Sequence, residues 1–309
     1  MDNMLQLSAS PHIHSGRSTT SIMRDVLIAL LPATVAGTVI FGLRSLLIVA
    51  VCVASCVLLE ALYNWILKKD QTIGDLSAAV TGLLLALNLP ANIPVWQCVI
   101  GCVFAIILVK CLFGGIGNNL VNPAITARVF MFVSFGSMAV QAMPVIVDTA
   151  SGATPLAQIT ENKLPELKDL FLGTTGGAIG ETCALALLIG LAYLLIRRII
   201  TWHIPVAFVG SVFVLSLLME DFNALAALSL ILSGGLLIGA IFMATDYVTS
   251  PATPTGKIIF GLGAGILTWL IRYFGVYPEG VSFAILFMNI LTPYIEKLTA
   301  HKIFGGTKA

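Results

Sequence analysis

The feature that most constrains this chain is its succession of long apolar runs separated by short polar breaks. Several runs reach about 20 residues, the length at which an α-helix crosses the hydrocarbon core of a bilayer. Only 10% of the 309 residues are charged, whereas soluble domains carry about 25%. So few charges cannot cover a water-facing surface, and in lipid each helix satisfies its own backbone hydrogen bonds. The sequence therefore predicts an all-α membrane protein.

The apolar runs predict about ten transmembrane helices in one integral membrane domain, residues 1–309. The third run is short and ends at Asn88-Leu89-Pro90, which indicates a helix that is broken inside the protein. The predicted spans are Met23–Phe41, Arg44–Leu67, Leu76–Leu87, Pro94–Phe113, Pro123–Val140, Gly177–Ile196, Ile204–Met219, Phe222–Met243, Gly256–Phe274 and Gly280–Leu298.

The distribution of positive charge predicts the orientation, because cytoplasmic segments collect Lys and Arg. With the N-terminus inside, the inner segments hold eleven such residues and the outer segments four. We therefore expect a multi-pass protein of the inner (plasma) membrane with both termini cytoplasmic, a cytoplasmic segment 1–21 and an extracytoplasmic loop 141–176. The inner residues are Arg17, Arg24, Lys68, Lys69, Lys110, Arg197, Arg198, Lys257, Lys297, Lys302 and Lys308, and the outer ones are Arg44, Lys163, Lys168 and Arg272.

A faint internal repeat relates the two halves of the chain. Gly82-Leu-Leu-Leu resembles Gly235-Leu-Leu-Ile, and Lys110-Cys-Leu-Phe-Gly-Gly resembles Arg272-Tyr-Phe-Gly. A repeat unit of five helices is odd in number, so its two copies must lie inverted in the membrane. This predicts two inverted five-helix repeats with broken helices, a construction typical of transporters. Chance resemblance between helix ends rich in Gly and Pro is the alternative.

Composition and cysteine spacing exclude some functions. A net charge of +1 argues against a nucleic-acid partner. The pairs Cys52/Cys56 and Cys98/Cys102 are spaced i, i+4, which places each pair on one helix face. This spacing admits a metal or cluster site, but no dense Cys/His motif lies nearby. We therefore interpret the cysteines as small apolar side chains in helix packing and predict no metal site.

The longest polar break contains the stretch Asp148-Thr-Ala-Ser-Gly-Ala-Thr-Pro155. Thr154 is a good N-cap and proline is favoured at the first helical position, so a helix is predicted to begin at Pro155. The free N–H groups of a helix N-terminus bind anions such as phosphate. An ordinary capped loop helix is the alternative. The candidate anion contacts are Asp148, Ser151, Gly152, Ala153, Thr154 and Pro155.

Motifs along nearly the whole chain resemble one family. Ser151-Gly-Ala-Thr154 resembles the flavinylation motif of the NqrB/RnfD family. The chain as a whole most resembles the D subunits of Rnf complexes. The family's opening is matched by Ser10-Pro-His and Ile22-Met-Arg-Asp-Val, and its Gly/Asn loop by Phe113-Gly-Gly-Ile-Gly-Asn-Asn-Leu-Val-Asn-Pro123. Phe242-Met-Ala-Thr-Asp246 and Phe274-Gly-Val-Tyr-Pro278 are also similar. Tyr247 stands where proline is common, a departure that bears only on the local turn.

The resemblance implies a membrane redox subunit of an ion-translocating ferredoxin:NAD oxidoreductase. Such a subunit is not catalytic alone. It relays electrons through FMN bound as a phosphoester at Thr154 and contributes to Na⁺ or H⁺ translocation. The implied partners are iron–sulfur, NAD-site and second flavin subunits. A second, non-covalent riboflavin is also implied, with Asn118, Asn119 and Asn122 as candidate contacts. The rival hypothesis is a redox-inactive solute transporter or channel of inverted-repeat fold.

Ionisable residues inside apolar runs are costly in lipid and are candidates for function. We predict an ion path that involves Asp25, Glu60 and Asp246, because carboxylate oxygens suit Na⁺. The alternatives are structural: Asp25 pairs with Arg24, and Asp246 caps a helix.

Overall fold

The computed structural model describes residues 18–138, 142–145, 155–160, 165–275 and 280–300. Within these ranges the chain is helical, and its only β contact is an isolated bridge between Ala142 and Gly177. The prediction of an all-α protein is confirmed for this part of the chain. The helices are α1 (Thr19–Phe41), α2 (Leu43–Ile66), α3 (Ser77–Leu87), α4 (Val95–Cys111), α5 (Pro123–Ser134), α6 (Pro155–Thr160), α7 (Leu167–Leu172), α8 (Ala184–Ile196), α9 (His203–Met219), α10 (Ala224–Leu232), α11 (Leu236–Met243), α12 (Pro254–Phe274) and α13 (Val281–Thr299).

Helices long and apolar enough to cross a membrane confirm a multi-pass membrane protein. Four helices of the described chain meet this requirement, α1, α2, α12 and α13, and α10 with α11 forms a further span bent by 66°. The helices α3, α4, α5, α8 and α9 are also apolar but shorter.

Several helix starts follow from local chemistry. Asn122 accepts hydrogen bonds from the N–H groups of Ala124 and Ile125 at the start of α5. Thr253 accepts a hydrogen bond from Gly256 N–H at the start of α12. In both helices proline occupies the first position, where its missing N–H costs nothing.

Two predicted spans are shorter than expected. The fifth was expected to continue to Val140, but α5 ends at Ser134 and a turn follows. The sixth was expected to begin at Gly177, but α8 begins at Ala184. The segment before α8 is not helical because its backbone bonds to the end of α3 instead: Ile179 N donates to Leu89 O at 3.0 Å and Gly180 N to Leu87 O at 2.7 Å. A Cβ on Gly180 would lie 2.6 Å from Leu87 Cβ.

The predicted span Phe222–Met243 is divided at Ser233-Gly234-Gly235, between α10 and α11. Gly234 has a φ of +68°, a conformation that L side chains rarely adopt. The break exposes the last carbonyls of α10, and the guanidinium of Arg272 satisfies two of them: Nη1 donates to Leu230 O at 2.6 Å and Nη2 to Ser233 O at 3.1 Å. A polar break at membrane depth is tolerated because the protein itself supplies the missing partners.

Wide helical turns occur at the ends of α4 and α11. Leu112 N donates to Ile107 O and Gly115 N to Lys110 O, each at 3.0 Å, and Ala244 N donates to Gly239 O at 2.8 Å. These bonds reach back five residues rather than four, which is the π-helical pattern often found at functional sites.

The helices pack through small residues. α1 crosses α8, α2 lies against α3 and α4, and α9 lies against α10 and α12. At the α2–α3 crossing, a Cβ on Gly82 would lie 2.7 Å from Cys52 O. Close backbone approach of this kind is typical of helix packing in membranes. The cysteines Cys52, Cys56, Cys98 and Cys102 are buried where α2 meets α4.

Candidate functional site

The predicted flavin-attachment motif is only partly described. Asp148, Ser151, Gly152, Ala153 and Thr154 lie outside the described residues. Pro155 begins α6, where the sequence predicted a helix start, and Pro155 and Leu156 are buried. The bridge between Ala142 and Gly177 joins the two ends of the predicted loop 141–176.

Leu156 shows where the residues that directly follow the motif lie. Leu156 Cδ1 packs against Gly234, since a Cβ built on Gly234 would lie 2.7 Å from it. That Cβ would also lie 3.4 Å from Arg272 Nη2. Leu156, two positions after the attachment motif, is thus held against the break between α10 and α11, next to the Arg272 guanidinium.

Arg128 forms the centre of a buried polar cluster at the same break. Its Nη1 donates to Asn88 Oδ1 at 2.8 Å and to Ser282 Oγ at 3.2 Å. Its Nη2 lies 3.6 Å from Glu181 Oε2. Arg128 and Glu181 are 5% and 3% exposed, so this is an ion pair inside the protein. It joins α5 to the ends of α3 and α13 and to the segment before α8.

Both charges of this pair lie beside helix ends. Asn88, which Arg128 contacts, follows the last residue of α3, where carbonyl oxygens are left without helical partners. A cation at a helix C-terminus is stabilised by the helix dipole. Gly235, at the N-terminus of α11, lies against both members of the pair: a Cβ there would be 3.0 Å from Arg128 Nη1 and 3.3 Å from Glu181 Oε2.

Glu60 belongs to a second buried cluster. The Lys110 ammonium donates to Glu60 Oε1 and Oε2, both at 2.9 Å, and to Ser77 Oγ at 2.6 Å. Thr72 Oγ1 donates to Glu60 Oε1 at 2.7 Å, and Ser77 Oγ donates to Asp75 Oδ1 at 2.5 Å. The side chains of Lys110 and Glu60 are 2% and 3% exposed. All three hydrogens of the ammonium therefore face oxygen atoms.

Asp25 has a third set of partners. Arg197 Nη2 and Tyr193 OH each donate to its carboxylate at 3.1 Å. Sequence analysis offered Arg24 as the structural partner, but the cation that pairs with Asp25 is Arg197. The contact crosses from α1 to the end of α8, so it ties the first helix to the second half of the chain.

A cleft of about 100 Å³ opens beside the Lys110 cluster. The cleft is lined by α1, α3, the end of α4, α8 and the turn after α11, and its polar lining includes Thr81, Lys110, Asn119, Asn122 and Asp246.

The asparagines predicted to contact a second flavin differ in what they do. Asn122 caps α5, and its Nδ2 donates to Met243 O at 3.4 Å. Asn118 is exposed and donates to Gly114 O at 3.4 Å. Asn119 Oδ1 is buried and has no hydrogen-bond partner in the described part of the chain. Asn119 is therefore the member of this set that has an unused acceptor beside the cleft.

Asp246 faces the cleft from the turn after α11. Thr249 Oγ1 donates to Asp246 Oδ2 at 3.1 Å. Burial raises the pKa of the Asp246 carboxyl, and the hydrogen bonds from Thr249 and the Val248 N–H offset part of that shift. Asp246 does not cap α12, since Thr253 does.

Sequence reasoning missed two charged residues of these clusters. Lys110 was treated only as a charge of the inner segments, yet it is buried against Glu60. Glu181 was placed in a predicted span but was not selected as a candidate. The cost of an unpaired charge in lipid was the available signal: Glu60 required a cationic partner, and Arg128 an anionic one. Across the described ranges, no group of three or more His, Cys, Asp or Glu side chains is arranged to hold a metal ion.

Comparison with known proteins gives consistent matches over nearly the whole chain. The family described as NQR2, RnfD, RnfE matches residues 6–305. The chain is 47% identical to the D subunit of the Na⁺-translocating ferredoxin:NAD⁺ oxidoreductase complex of Acetobacterium woodii, over 98% of this chain and 96% of that protein. It is 40% identical to the proton-translocating counterpart of Clostridium ljungdahlii, over 98% and 97%. It is 34% identical to the D subunit of the ion-translocating oxidoreductase complex of Escherichia coli K12, over 99% of both chains.

Proposed function

The chain belongs to the NQR2, RnfD, RnfE family, and from this premise we propose that it is a membrane redox subunit of an ion-translocating ferredoxin:NAD oxidoreductase complex. The observation that carries the proposal is 47% identity to a D subunit of such a complex along almost the full length of both chains. The chain by itself does not catalyse the reaction. Its partners are iron–sulfur, NAD-site and second flavin subunits.

FMN bound as a phosphoester to Thr154 supplies a one-electron relay. The described neighbours of the motif fit a phosphate-bearing group. Leu156 seats the chain against Gly234, next to the Arg272 guanidinium, and the Arg128–Glu181 pair lies at the adjacent Gly235. A guanidinium beside a phosphate favours its negative charge. In this proposal Arg272 stabilises the break between α10 and α11. Leu156, held against that break, orients the residues that precede it in the chain.

The cleft is proposed to hold a second, non-covalent riboflavin. The proposal rests on the polar lining of the cleft, since the buried Asn119 Oδ1 supplies an acceptor that has no hydrogen-bond partner among the described residues. Asn118 lies in the same loop, and Asn122 keeps the loop joined to α5 through its capping bonds.

The fold is proposed to consist of ten spans in two inverted five-helix repeats. The packing pairs support this reading, because α2 with α3 and α4 corresponds to α9 with α10 and α12. The first helices of the two halves, α1 and α8, pack on each other, and so do the last, α5 and α13. The position in the inner (plasma) membrane and the cytoplasmic termini are proposed from the charge distribution.

Flavin fluorescence after denaturing electrophoresis tests the attachment. The full chain, produced together with a flavin transferase, is expected to fluoresce under ultraviolet light, and Thr154→Ala is expected to abolish the signal. Thr149→Ala is the matched control, because it removes a hydroxyl from the same stretch outside the motif. Fluorescence that survives Thr154→Ala would overturn the assignment.

The same variant tests the redox role. Thr154→Ala complexes that assemble normally are expected to lose ferredoxin-dependent reduction of NAD. Full electron transfer in the variant would instead support a third reading, a structural subunit whose flavin motif is vestigial.

A further inference from the structure

We propose that the oxygens around Lys110 form a binding site for a small monovalent cation, Na⁺, and that the Lys110 ammonium is a tethered occupant which leaves the site for Asp246 when Na⁺ binds. The inference rests on the proposed ion-translocating function and assigns to Lys110 a role that ion translocation alone does not specify.

The first observation is the shell around the ammonium. Both carboxylate oxygens of Glu60 and the Ser77 hydroxyl lie 2.6–2.9 Å from Lys110 Nζ. Thr72 Oγ1 adds a hydroxyl that is already bonded to Glu60. Carboxylate and hydroxyl oxygens are the ligands that hard cations prefer. The site therefore has the chemistry of a cation site and already contains a cation, the side-chain ammonium.

The second observation is an alternative partner for that ammonium. Lys110 and Asp246 line the same cleft. The carboxylate of Asp246 receives a hydrogen bond from Thr249, and no Lys or Arg of the described chain forms an ion pair with it. Lys110 neutralises Glu60 in the present arrangement, so Asp246 is left without a cationic neighbour. A lysine side chain is long and flexible enough to change partners across a cleft.

Charge balance then couples the two positions. A buried carboxylate is tolerated when a cation compensates it. When Na⁺ neutralises Glu60, the Lys110 ammonium is no longer needed there and moves to Asp246. Glu60 is then paired with Na⁺ and Asp246 with Lys110. The wide turn at Lys110, closed by the bond from Gly115 N to Lys110 O, places this residue where the helix is least regular. Any proton that the Asp246 carboxyl holds passes to water in the cleft as the ammonium arrives, and no other bond is formed or broken in this exchange.

The test measures Na⁺ binding to the purified full complex with radioactive sodium, with choline replacing Na⁺ as the background ion. Lys110→Met removes the competing ammonium, and Na⁺ is expected to bind about tenfold more tightly, within the usual range of coupling between linked sites. Glu60→Gln is expected to abolish this binding. Lys69→Met is the matched control, since Lys69 is an exposed lysine beside Tyr63, and it should leave the affinity unchanged.

A double-mutant cycle tests the exchange itself. Asp246→Asn removes the second position of the ammonium, so Na⁺ is expected to bind about tenfold more weakly when Lys110 is present. In the Lys110→Met background the same change is expected to have less than about a twofold effect. An equal effect in both backgrounds would overturn the proposal, because Asp246 would then act independently of Lys110.

A measurement on the unmutated protein covers the case in which Lys110→Met does not fold. Modification of Lys110 by an amine-reactive reagent, read by mass spectrometry, is expected to rise severalfold in Na⁺ relative to choline, with Lys69 as the internal reference. Unchanged reactivity would refute the movement. If the complex transports ions but its reactivity and Na⁺ affinity show none of these effects, only this inference fails. If it transports no ion at all, the proposed function fails.

Discussion

At the residue scale, three ion pairs account for the charges of Asp25, Glu60, Lys110, Arg128 and Glu181, which are buried in the described part of the chain. Asp25 pairs with Arg197, Glu60 with Lys110 and Arg128 with Glu181. A buried ion pair adds little net stability, but a buried charge without its partner is strongly destabilising. The three pairs connect residues far apart in the sequence, so each one selects a particular packing of helices.

Arg128 provides a direct test of this reasoning. Arg128→Gln leaves Glu181 without its cation and is expected to destabilise the protein by about 3 kcal/mol. The double change Arg128→Gln and Glu181→Gln is expected to recover more than half of that loss, because no uncompensated charge remains. Thermal unfolding of the purified chain measures both, with Lys69→Gln as an exposed control. A double variant as unstable as the single one would show that charge pairing is not the cause.

Asp246 is expected to titrate unusually, because burial raises the pKa of its carboxyl. In the absence of Na⁺ it should keep its proton to a higher pH than an exposed aspartate, and release it as the pH rises through the raised pKa. Infrared spectroscopy detects the protonated carboxyl directly. Asp246→Asn should remove the carboxyl band that persists at pH values where exposed aspartates are ionised. If the variant and the unmutated chain give the same spectra at every pH, the raised pKa is wrong.

The sequence predicts only one side of each ion pair. Asp25 and Glu60 are recognisable because carboxylates are rare and costly in apolar segments. Their partners are set by tertiary packing: Lys110 lies 50 residues from Glu60 and Arg197 lies 172 residues from Asp25. No local pattern connects residues at such separations.

At the scale of elements, the two broken helices position the functional candidates. The break after α3 is visible in the sequence because Asn88 and Pro90 end a helix, and α3 does end at Leu87. The break between α10 and α11 was not predicted, because Ser233-Gly234-Gly235 lies in a run that is apolar enough to form one span. Its geometry depends on Arg272, which reaches it from α12.

Gly234 is expected to be required for flavin attachment. Gly234→Ala places a Cβ at a strained φ of +68° and 2.7 Å from Leu156 Cδ1. The clash displaces Leu156 and with it Thr154, two residues earlier, so flavin fluorescence of the denatured chain should fall severalfold at equal protein amount. Gly210→Ala in α9 is the matched control, since a Cβ there meets nothing within 4 Å. Undiminished fluorescence in Gly234→Ala would show that the contact between Gly234 and Leu156 is not needed for flavin attachment.

At the scale of the whole molecule, α3 connects the two polar clusters. Ser77 at its first residue contacts Lys110, and Asn88 just beyond its last contacts Arg128. Eleven residues of α-helix span about 16 Å. A rigid element of this length gives the Lys110 cluster beside the cleft and the Arg128 cluster near the predicted attachment motif a shared structural support. Movement of α3 would therefore affect both clusters.

The overall class follows from composition, whereas the arrangement of spans does not. A charged fraction of 10% is enough to predict a membrane protein, and the all-α prediction is confirmed in the described residues. The number of spans and the inverted repeats stay predictions. Apolar runs specify which segments avoid water, but whether a short helix such as α3 crosses the membrane depends on the helices around it.

The orientation of the chain can be decided by labelling. Lys110 and Arg197 are paired with acids, and removing them from the eleven inner charges leaves nine against four outside. The positive-inside bias therefore still predicts cytoplasmic termini. Glu161→Cys is therefore expected to react with a membrane-impermeant thiol reagent added outside intact cells. Lys69→Cys, beyond the end of α2, should react only after permeabilisation. The unmutated chain supplies the background, since five of its six cysteines are buried. Labelling of Glu161→Cys from the cytoplasmic side alone would invert the proposed topology and place the flavin on the opposite face of the membrane.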